Sequence, residues 1–105
     1  MATGPVYSTR FIGSSDATRM QLDYTVPAGY RAVVRSISFW NSSSGISDAS
    51  VFVAGTCYIF FAHQVPASGF ASWNGDQVVN ENELLVASQS AGSGFFMVSG
   101  FLLSI

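Results

Sequence analysis

Turn-forming residues recur along this chain at intervals close to the roughly 8–12 residues that separate turns in all-β sandwiches and barrels. Clusters of Gly, Pro, Asn, Ser and Asp bound short apolar segments throughout the sequence. No segment carries apolar residues at a sustained helical period with capping residues at both ends. The pattern therefore predicts an all-β protein. The clusters lie at 13–16, 27–29, 41–45, 55, 66–69, 74–75, 80–82 and 91–94.

The segments between these turns are short and rich in Val, Ile, Phe, Tyr and Thr, which favour extended backbone. A chain of 105 residues is one domain of ordinary size. We therefore expect a single domain over residues 1–105, a β-sandwich of jelly-roll type with eight or nine short antiparallel strands. The predicted strands cover 5–12, 18–26, 30–40, 48–54, 56–64, 69–73, 76–79, 83–89 and 95–104.

Hydrophobic alternation separates two kinds of strand. Residues 20–26 alternate strictly, with Met20, Leu22, Tyr24 and Val26 on one side, which is typical of a half-exposed strand. Segments 57–62 and 95–103 are instead apolar on both sides, and a two-layer sandwich covers only one of them. We expect a second subunit to cover the other side; the alternative is that the aromatics fill a distorted core edge. The predicted interface residues are Phe60, Phe61, Phe95, Phe96, Met97, Phe101, Leu102 and Leu103.

Charge is scarce in this chain and limits its partners. Only 10% of the residues are charged, against roughly 25% in an ordinary soluble domain, and there is no lysine. Four dispersed arginines and a net charge of -2 argue against nucleic acid, which requires clustered basic residues. No apolar stretch reaches the roughly 18 residues of a membrane span, and residues 1–5 do not resemble a signal peptide. We expect synthesis in the cytoplasm and packing against other protein.

Few residues could carry catalysis or bind a metal. His63 is the single histidine and no Gly-x-Ser-x-Gly motif is present, so we expect no enzymatic activity. Cys57 lies in an apolar run and is predicted to be a buried, inert thiol. Asp76, Glu81 and Glu83 could bind calcium, but a solvated turn is the favoured interpretation. We therefore predict no catalytic residue, metal site or cofactor.

Carbohydrate binding is the main alternative function. Sugars stack on exposed aromatic rings, and each tryptophan of this chain precedes an asparagine near a strand end, Trp40 before Asn41 and Trp73 before Asn74. Trp40 and Trp73 are therefore candidate sugar-stacking residues, with a surface glycan as partner. The competing interpretation is that each tryptophan caps the core beside a turn. The sequence Asn41-Ser42-Ser43 also matches a glycosylation sequon, but we interpret it as a polar loop.

The order of several short motifs resembles that of small β-sandwich virion proteins of tailed bacteriophages, of minor tail or capsid-decoration type. The resemblance covers roughly residues 24–103. At 80–82, where such proteins carry a glycine in the turn, this chain has Asn-Glu-Asn. The matching motifs are V-P-A-G at 26–29, the strand 31–40 with its polar loop 41–45, the strand 51–55 ending in Gly, W-x-G-x-x-V at 73–78, E-x-L at 83–85 and V-S-G at 98–100.

The resemblance implies a non-enzymatic structural subunit that forms homo-oligomers, with a trimer favoured, and contacts other virion proteins. It also implies location in the virion after synthesis in the cytoplasm of a bacterial host. A trimer would cover the segments that are apolar on both sides.

Overall fold

The computed structural model describes residues 6–13, 21–90 and 94–105, which form eight β-strands and, within these ranges, no helix. All strand pairs are antiparallel. The predicted all-β class is confirmed. The strands are β1 (Val6–Gly13), β2 (Gln21–Thr25), β3 (Tyr30–Trp40), β4 (Ser47–Val53), β5 (Cys57–Val65), β6 (Phe70–Val79), β7 (Leu84–Gln89) and β8 (Phe95–Ser104).

The strands form two four-stranded sheets in the order of a jelly roll. Sheet I is β1-β8-β3-β6 and sheet II is β2-β7-β4-β5. Only β4 and β5 are both consecutive in the chain and paired with each other. Every other connection crosses from one sheet to the other. This order of two interleaved Greek keys is the jelly-roll arrangement, and it confirms the predicted fold.

The core lies between the sheets and follows the alternation of each strand. In β4 every second residue is buried, including Val51. In β2 the expected pattern holds, because Leu22 and Tyr24 pack against the core while Gln21, Asp23 and Thr25 are exposed. Met20 lies outside the described residues. The inner faces of two antiparallel sheets therefore account for the core.

One predicted turn is wrong. Asn74 and Gly75 lie inside β6, which joins two segments that the sequence pattern separated, so the described chain has eight strands and not nine. Val34 pairs with Gln77 and Ser36 with Asn74, so β6 has one more residue than β3 between these two pairs. Such a bulge lets a strand continue through residues that would otherwise form a turn.

The turn at 80–82 has the conformation that a glycine would adopt. Asn82 has φ 66°, in the left-handed region, which asparagine tolerates better than most residues with a Cβ atom. The Glu81 carboxylate accepts a hydrogen bond from the Gly29 N–H at 3.0 Å, which joins this turn to the turn before β3. Asn82 therefore takes, at this turn, a left-handed conformation that glycine adopts without strain.

Candidate interaction surfaces

The outer face of sheet I carries an open depression with a volume of about 360 Å³. Trp40 at the end of β3 pairs with Phe95 on β8 and with Phe70 on β6, so three aromatic residues lie side by side across neighbouring strands. The Trp40 and Phe95 rings stack, with centroids 5.3 Å apart and planes 11° from parallel. We call this surface the aromatic depression; its side chains are Arg10, Trp40, Phe70, Phe95 and Met97.

Exposure makes the aromatic depression available for contact. Trp40 is 37% exposed and Phe70 is 79% exposed, although both are large apolar side chains. Arg10, on β1, brings the one charge to its lining and makes no ion pair within the described part of the chain. The depression can therefore take an apolar or aromatic group with a negative charge at one side.

A second arginine on this face, Arg35, is already paired. Arg35 Nε lies 2.7 Å from Asp76 Oδ1 and donates a hydrogen bond to the Gly75 carbonyl at the bulge of β6. Its guanidinium also lies 5.6 Å from the centroid of the Phe101 ring, which it partly covers. Arg35, Asp76 and Phe101 thus form an exposed network in the middle of sheet I, and the aromatic depression occupies the end of the sheet beyond it.

The outer face of sheet II carries a row of neighbouring aromatic side chains that we call the aromatic ridge, formed by Phe52, Tyr58, Phe61 and His63. An open pocket of about 360 Å³ lies at Tyr58 and Phe61. Tyr58 is 67% exposed and Phe61 is 62% exposed. Tyr58 contacts Phe52 at 5.1 Å and Phe61 at 6.4 Å between ring centroids, and Phe61 stacks on His63 at 6.1 Å. The ridge follows β5, which is the edge strand of sheet II.

A carboxylate marks one end of the aromatic ridge. Asp48 Oδ1 lies 3.1 Å from His63 Nδ1 and accepts a hydrogen bond of 2.7 Å from the Gln64 N–H. Gln64 has φ 55°, so the carboxylate stabilises a left-handed residue inside the strand. Because both contacts use the same oxygen, Oδ2 of the half-exposed Asp48 faces no donor among the described residues. His63 is thus placed beside a carboxylate at the surface.

The structure separates the eight predicted interface residues into an inner and an outer set. Phe60 and Phe96 are buried in the core, and Leu102 packs against it, so these three side chains face the other sheet and are not available to a second subunit. The cause is alternation, because neighbours on a strand point to opposite sides. The outer set is Phe61 on the aromatic ridge, Phe95 and Met97 in the aromatic depression, and the half-buried Phe101 and Leu103 on the outer face of sheet I.

The two tryptophans also differ in position. Trp73 pairs with the buried Ile37 and packs against the core, so it caps the core. Trp40 lies on the outer face, where a ligand could reach it. Asn41, which the sequence placed beside Trp40 as a sugar contact, is fully buried and directed into the protein.

Asn41 is the centre of a buried hydrogen-bond network. Its Nδ2 donates to the carbonyl oxygens of Gly45, Val65 and Pro66 at 2.8, 2.9 and 3.1 Å. Its Oδ1 accepts from the N–H and the hydroxyl of Ser43 at 2.9 and 2.6 Å. The side chain thus joins the loop after β3 to the turn after β5, and it is neither a sugar ligand nor an accessible acceptor for glycosylation.

The prediction for Cys57 is wrong, because its side chain is exposed. Cys57 pairs with Val53 at the first position of β5, where the edge of sheet II has no further strand to cover it. Apolar neighbours in sequence therefore do not bury this thiol.

The acidic residues considered for calcium each contact a donor of the chain itself. Glu81 accepts the Gly29 N–H, Glu83 accepts the Asn80 N–H at 2.7 Å, and Asp76 pairs with Arg35. Within the described ranges, no group of three or more His, Cys, Asp and Glu residues is arranged to hold a metal ion. The described ranges also contain no helix that could span a membrane.

Sequence reasoning missed Phe70 and Arg10 as members of the aromatic depression. Alternation could have placed Phe70 on the outer face, since Ala71 and Trp73 pack inward. Arg10 reaches this surface because β1 pairs with β8. That pairing joins Arg10 to Ser99, almost ninety positions away in the sequence.

Comparisons with known proteins extend only to the fold. No family model and no curated protein matches this chain. Among solved structures, the core of Drosophila NLP superposes with a TM-score of 0.50 at 12% sequence identity, covering 97% of this chain and 100% of that one. The crystal structure of that core bears on pentamer formation and histone binding by NLP. At this identity the likeness supports the two-sheet fold alone.

Proposed function

We propose that this protein is a non-enzymatic structural subunit of a tailed-phage virion, of minor tail or capsid-decoration type. It acts by contact with copies of itself, as a trimer, and with other virion proteins. It is made in the cytoplasm of the bacterial host and ends in the particle. The order of motifs over residues 24–103 supports the virion assignment.

The observation that carries the proposal is the exposure of large apolar side chains on both outer faces of a domain with few charges. Phe70 and Met97 on sheet I, and Tyr58 and Phe61 on sheet II, are among its most exposed large apolar residues. Soluble monomers rarely expose contiguous apolar patches, and such patches are typical of interfaces. The pentamer formation described for the NLP core is consistent with association of domains of this fold.

Light scattering after size-exclusion chromatography tests the oligomer. A particle of three times 11.2 kDa, unchanged on dilution, is the expected result. A monomer at micromolar concentration would overturn the proposed mode of action. The virion assignment has a separate test: mass spectrometry of purified particles should find the chain in amounts comparable with other structural subunits, and its absence from particles would refute that assignment.

A second candidate function is carbohydrate binding, which the aromatic depression favours. Trp40 is accessible, stacked on Phe95 and next to Phe70, so a sugar ring could lie on this surface. Titration with glycans, followed by isothermal titration calorimetry, tests the idea. Trp40→Ala should abolish a saturable change that a chain lacking only the exposed Phe61 ring, Phe61→Ser, retains. No saturable change with any glycan class would exclude this function.

A further inference from the structure

Three kinds of side chain meet in the aromatic depression: stacked rings, hydroxyls and one arginine. The Trp40 and Phe95 rings stack on each other, which covers one face of each ring and leaves the other face open. Phe95 lies on β8, between β3 and β1, so the open face of its ring is on the side of β1, the strand that carries Arg10. An aromatic face and a guanidinium therefore border the same space.

A bulge in β1 brings Arg10 next to a glycine on the outer face of sheet I. Arg10 pairs with Ser99 on β8. Gly13 pairs with Met97, two positions before Ser99, although three positions separate Gly13 from Arg10 on β1. The two residues between them are both buried, whereas Arg10 and Gly13 are both exposed. Arg10 and Gly13 are thus successive residues on this face.

Gly13 leaves room for the arginine side chain. A Cβ atom at position 13 would collide with Cδ of Arg10 and would lie 3.5 Å from its Nε. The Arg10 side chain therefore runs over Gly13 toward the level of Met97. Gly13 and Phe95 are diagonal neighbours across β1 and β8, which usually lie about 7–8 Å apart. One ligand unit can therefore contact the Phe95 ring and the Arg10 guanidinium together.

Hydroxyl groups lie beside the rings. Ser38 on β3 and Ser72 on β6 pair with each other, and both are exposed. They lie one step along the outer face from Trp40 and Phe70, which pair in the same way. Neither hydroxyl has a hydrogen-bond partner within the described ranges, so both can bind polar groups of a ligand. A few polar groups beside an apolar surface are what orients a bound ligand.

We propose that the aromatic depression binds an acidic sugar, a hexuronate unit of a glycan, whose carboxylate is bound by Arg10. The inference rests on carbohydrate binding, the second candidate function above, and names the class of sugar. A hexuronate ring has an apolar C–H face for the stacked rings and hydroxyls for the two serines. Its carboxylate can accept two parallel hydrogen bonds from the guanidinium, whereas a neutral sugar would leave Arg10 without a partner.

The shape of the aromatic depression favours one unit of a longer chain. The depression is open to solvent, so it covers a ligand from one side only. Small free ligands are usually enclosed by a cleft that buries most of their surface. A glycan chain needs no such enclosure, because its neighbouring units extend along the outer face.

Calorimetric titration with matched glycans tests the inference. The probes are linear tetramers of mannuronate and of galacturonate, each compared with its methyl ester, which keeps the rings and the hydroxyls but removes the charges. At least one acidic tetramer should bind roughly three- to fivefold more tightly than its ester, which is the contribution of an exposed ion pair. Polyglutamate has carboxylates but no sugar rings and should not bind.

Variants of β1 assign the preference to Arg10. Arg10→Gln should lower the affinity for the acidic tetramer to that for its ester and leave ester binding unchanged. Arg10→Lys keeps the charge but not the two parallel bonds, so it should keep a smaller preference. Arg31→Gln removes the same charge from an exposed position at the other end of β3 and is the matched control, which should bind like the natural chain.

Gly13→Ala tests the positioning of the arginine. The added Cβ atom displaces the Arg10 side chain, so the preference for the acid should fall while the ester still binds. A loss of folding would instead weaken both probes equally, and circular dichroism detects it.

The outcomes separate this inference from carbohydrate binding itself. If neutral glycans or the esters bind as tightly as the acids, or if Arg10→Gln keeps the preference, the acidic class is wrong while carbohydrate binding stands. If neither acidic nor neutral glycans bind, both are wrong. Binding of polyglutamate with the same affinity would overturn the assignment to a sugar, because charge alone would then select the ligand.

Discussion

Replacing Asn41 by alanine should destabilise this protein more than any surface change described above. The side chain has no exposed surface and holds five hydrogen-bonding groups of the backbone and of Ser43. Its two amide protons serve three carbonyl oxygens, so one bond is shared, and its oxygen accepts two more. Asn41→Ala removes these bonds around a side chain that has no exposed surface, although the Gly45 carbonyl keeps the Ser43 hydroxyl as a donor.

The magnitude follows from the number of bonds lost. A net contribution of about 1 kcal/mol for each of roughly four hydrogen bonds gives a loss of about 4 kcal/mol in the free energy of unfolding. Domains of this size have only about 5–15 kcal/mol in total. The melting temperature should therefore fall by roughly 16–32 °C, at about 4–8 °C per kcal/mol.

Urea unfolding followed by tryptophan fluorescence measures the loss, with Asn74→Ala, at an exposed position of β6, as the matched control. The control should change the free energy of unfolding by less than about 0.5 kcal/mol. A loss below about 1 kcal/mol for Asn41→Ala would refute the reasoning that this network fixes the loop after β3 to the turn after β5.

Three other changes test the fold and its pH dependence. Gly100→Ala should cost about 2–3 kcal/mol, because a Cβ atom there would collide with the Val33 carbonyl oxygen of the neighbouring strand β3. Trp73→Ala should cost about 2–3 kcal/mol and Trp40→Ala less than about 1 kcal/mol, since Trp73 packs against the core and Trp40 lies on the outer face. Burial raises the pKa of the Tyr24 hydroxyl above its ordinary 10.0. As the pH rises, the unfolded chain loses this proton before the folded chain does, so the free energy of unfolding should fall above about pH 10. Tyr24→Phe should make that fall with pH less steep.

Each of these changes has a control in the same chain. Gly45→Ala should be nearly neutral, because nothing lies within 4 Å of a Cβ atom at that position. Equal losses for the two tryptophan variants would contradict the assignment of Trp73 to the core. An alkaline slope that is the same in Tyr24→Phe as in the natural chain would contradict the role of burial. Denaturant titrations at several pH values provide all of these measurements.

The local pattern of the sequence was sufficient for the fold class and for much of the core. Strand β2 alternates in sequence as it does in burial, because a strand that is covered on one face places its apolar residues at every second position. The turns at Gly29 and Gly55 were likewise predictable, since both residues have the positive φ that glycine adopts without strain.

Local pattern failed where an irregular strand or a sheet edge intervened. Asn74 and Gly75 have the composition of a turn, yet pairing with β3 on one side holds them in a bulged strand. Cys57 has apolar neighbours, yet it lies at the end of an edge strand and is exposed. Asn74 and Gly75 are extended because their strand pairs with β3, and Cys57 is exposed because β5 has no strand on its outer side. In both places the order of strands in the sheet decides the outcome, and local sequence does not contain that order.

The sequence by itself determined that this chain forms a sandwich of short strands, and that it carries more apolar surface than one such sandwich covers. Only the tertiary structure decided which aromatic residues face outward together. Phe70 lies 30 positions after Trp40, and Phe95 lies 25 positions after Phe70. The three residues become neighbours through the order β8-β3-β6. The physical reason is that alternation fixes the side of a strand on which a residue lies, whereas the pairing of strands fixes its neighbours, and that pairing depends on contacts across the whole chain.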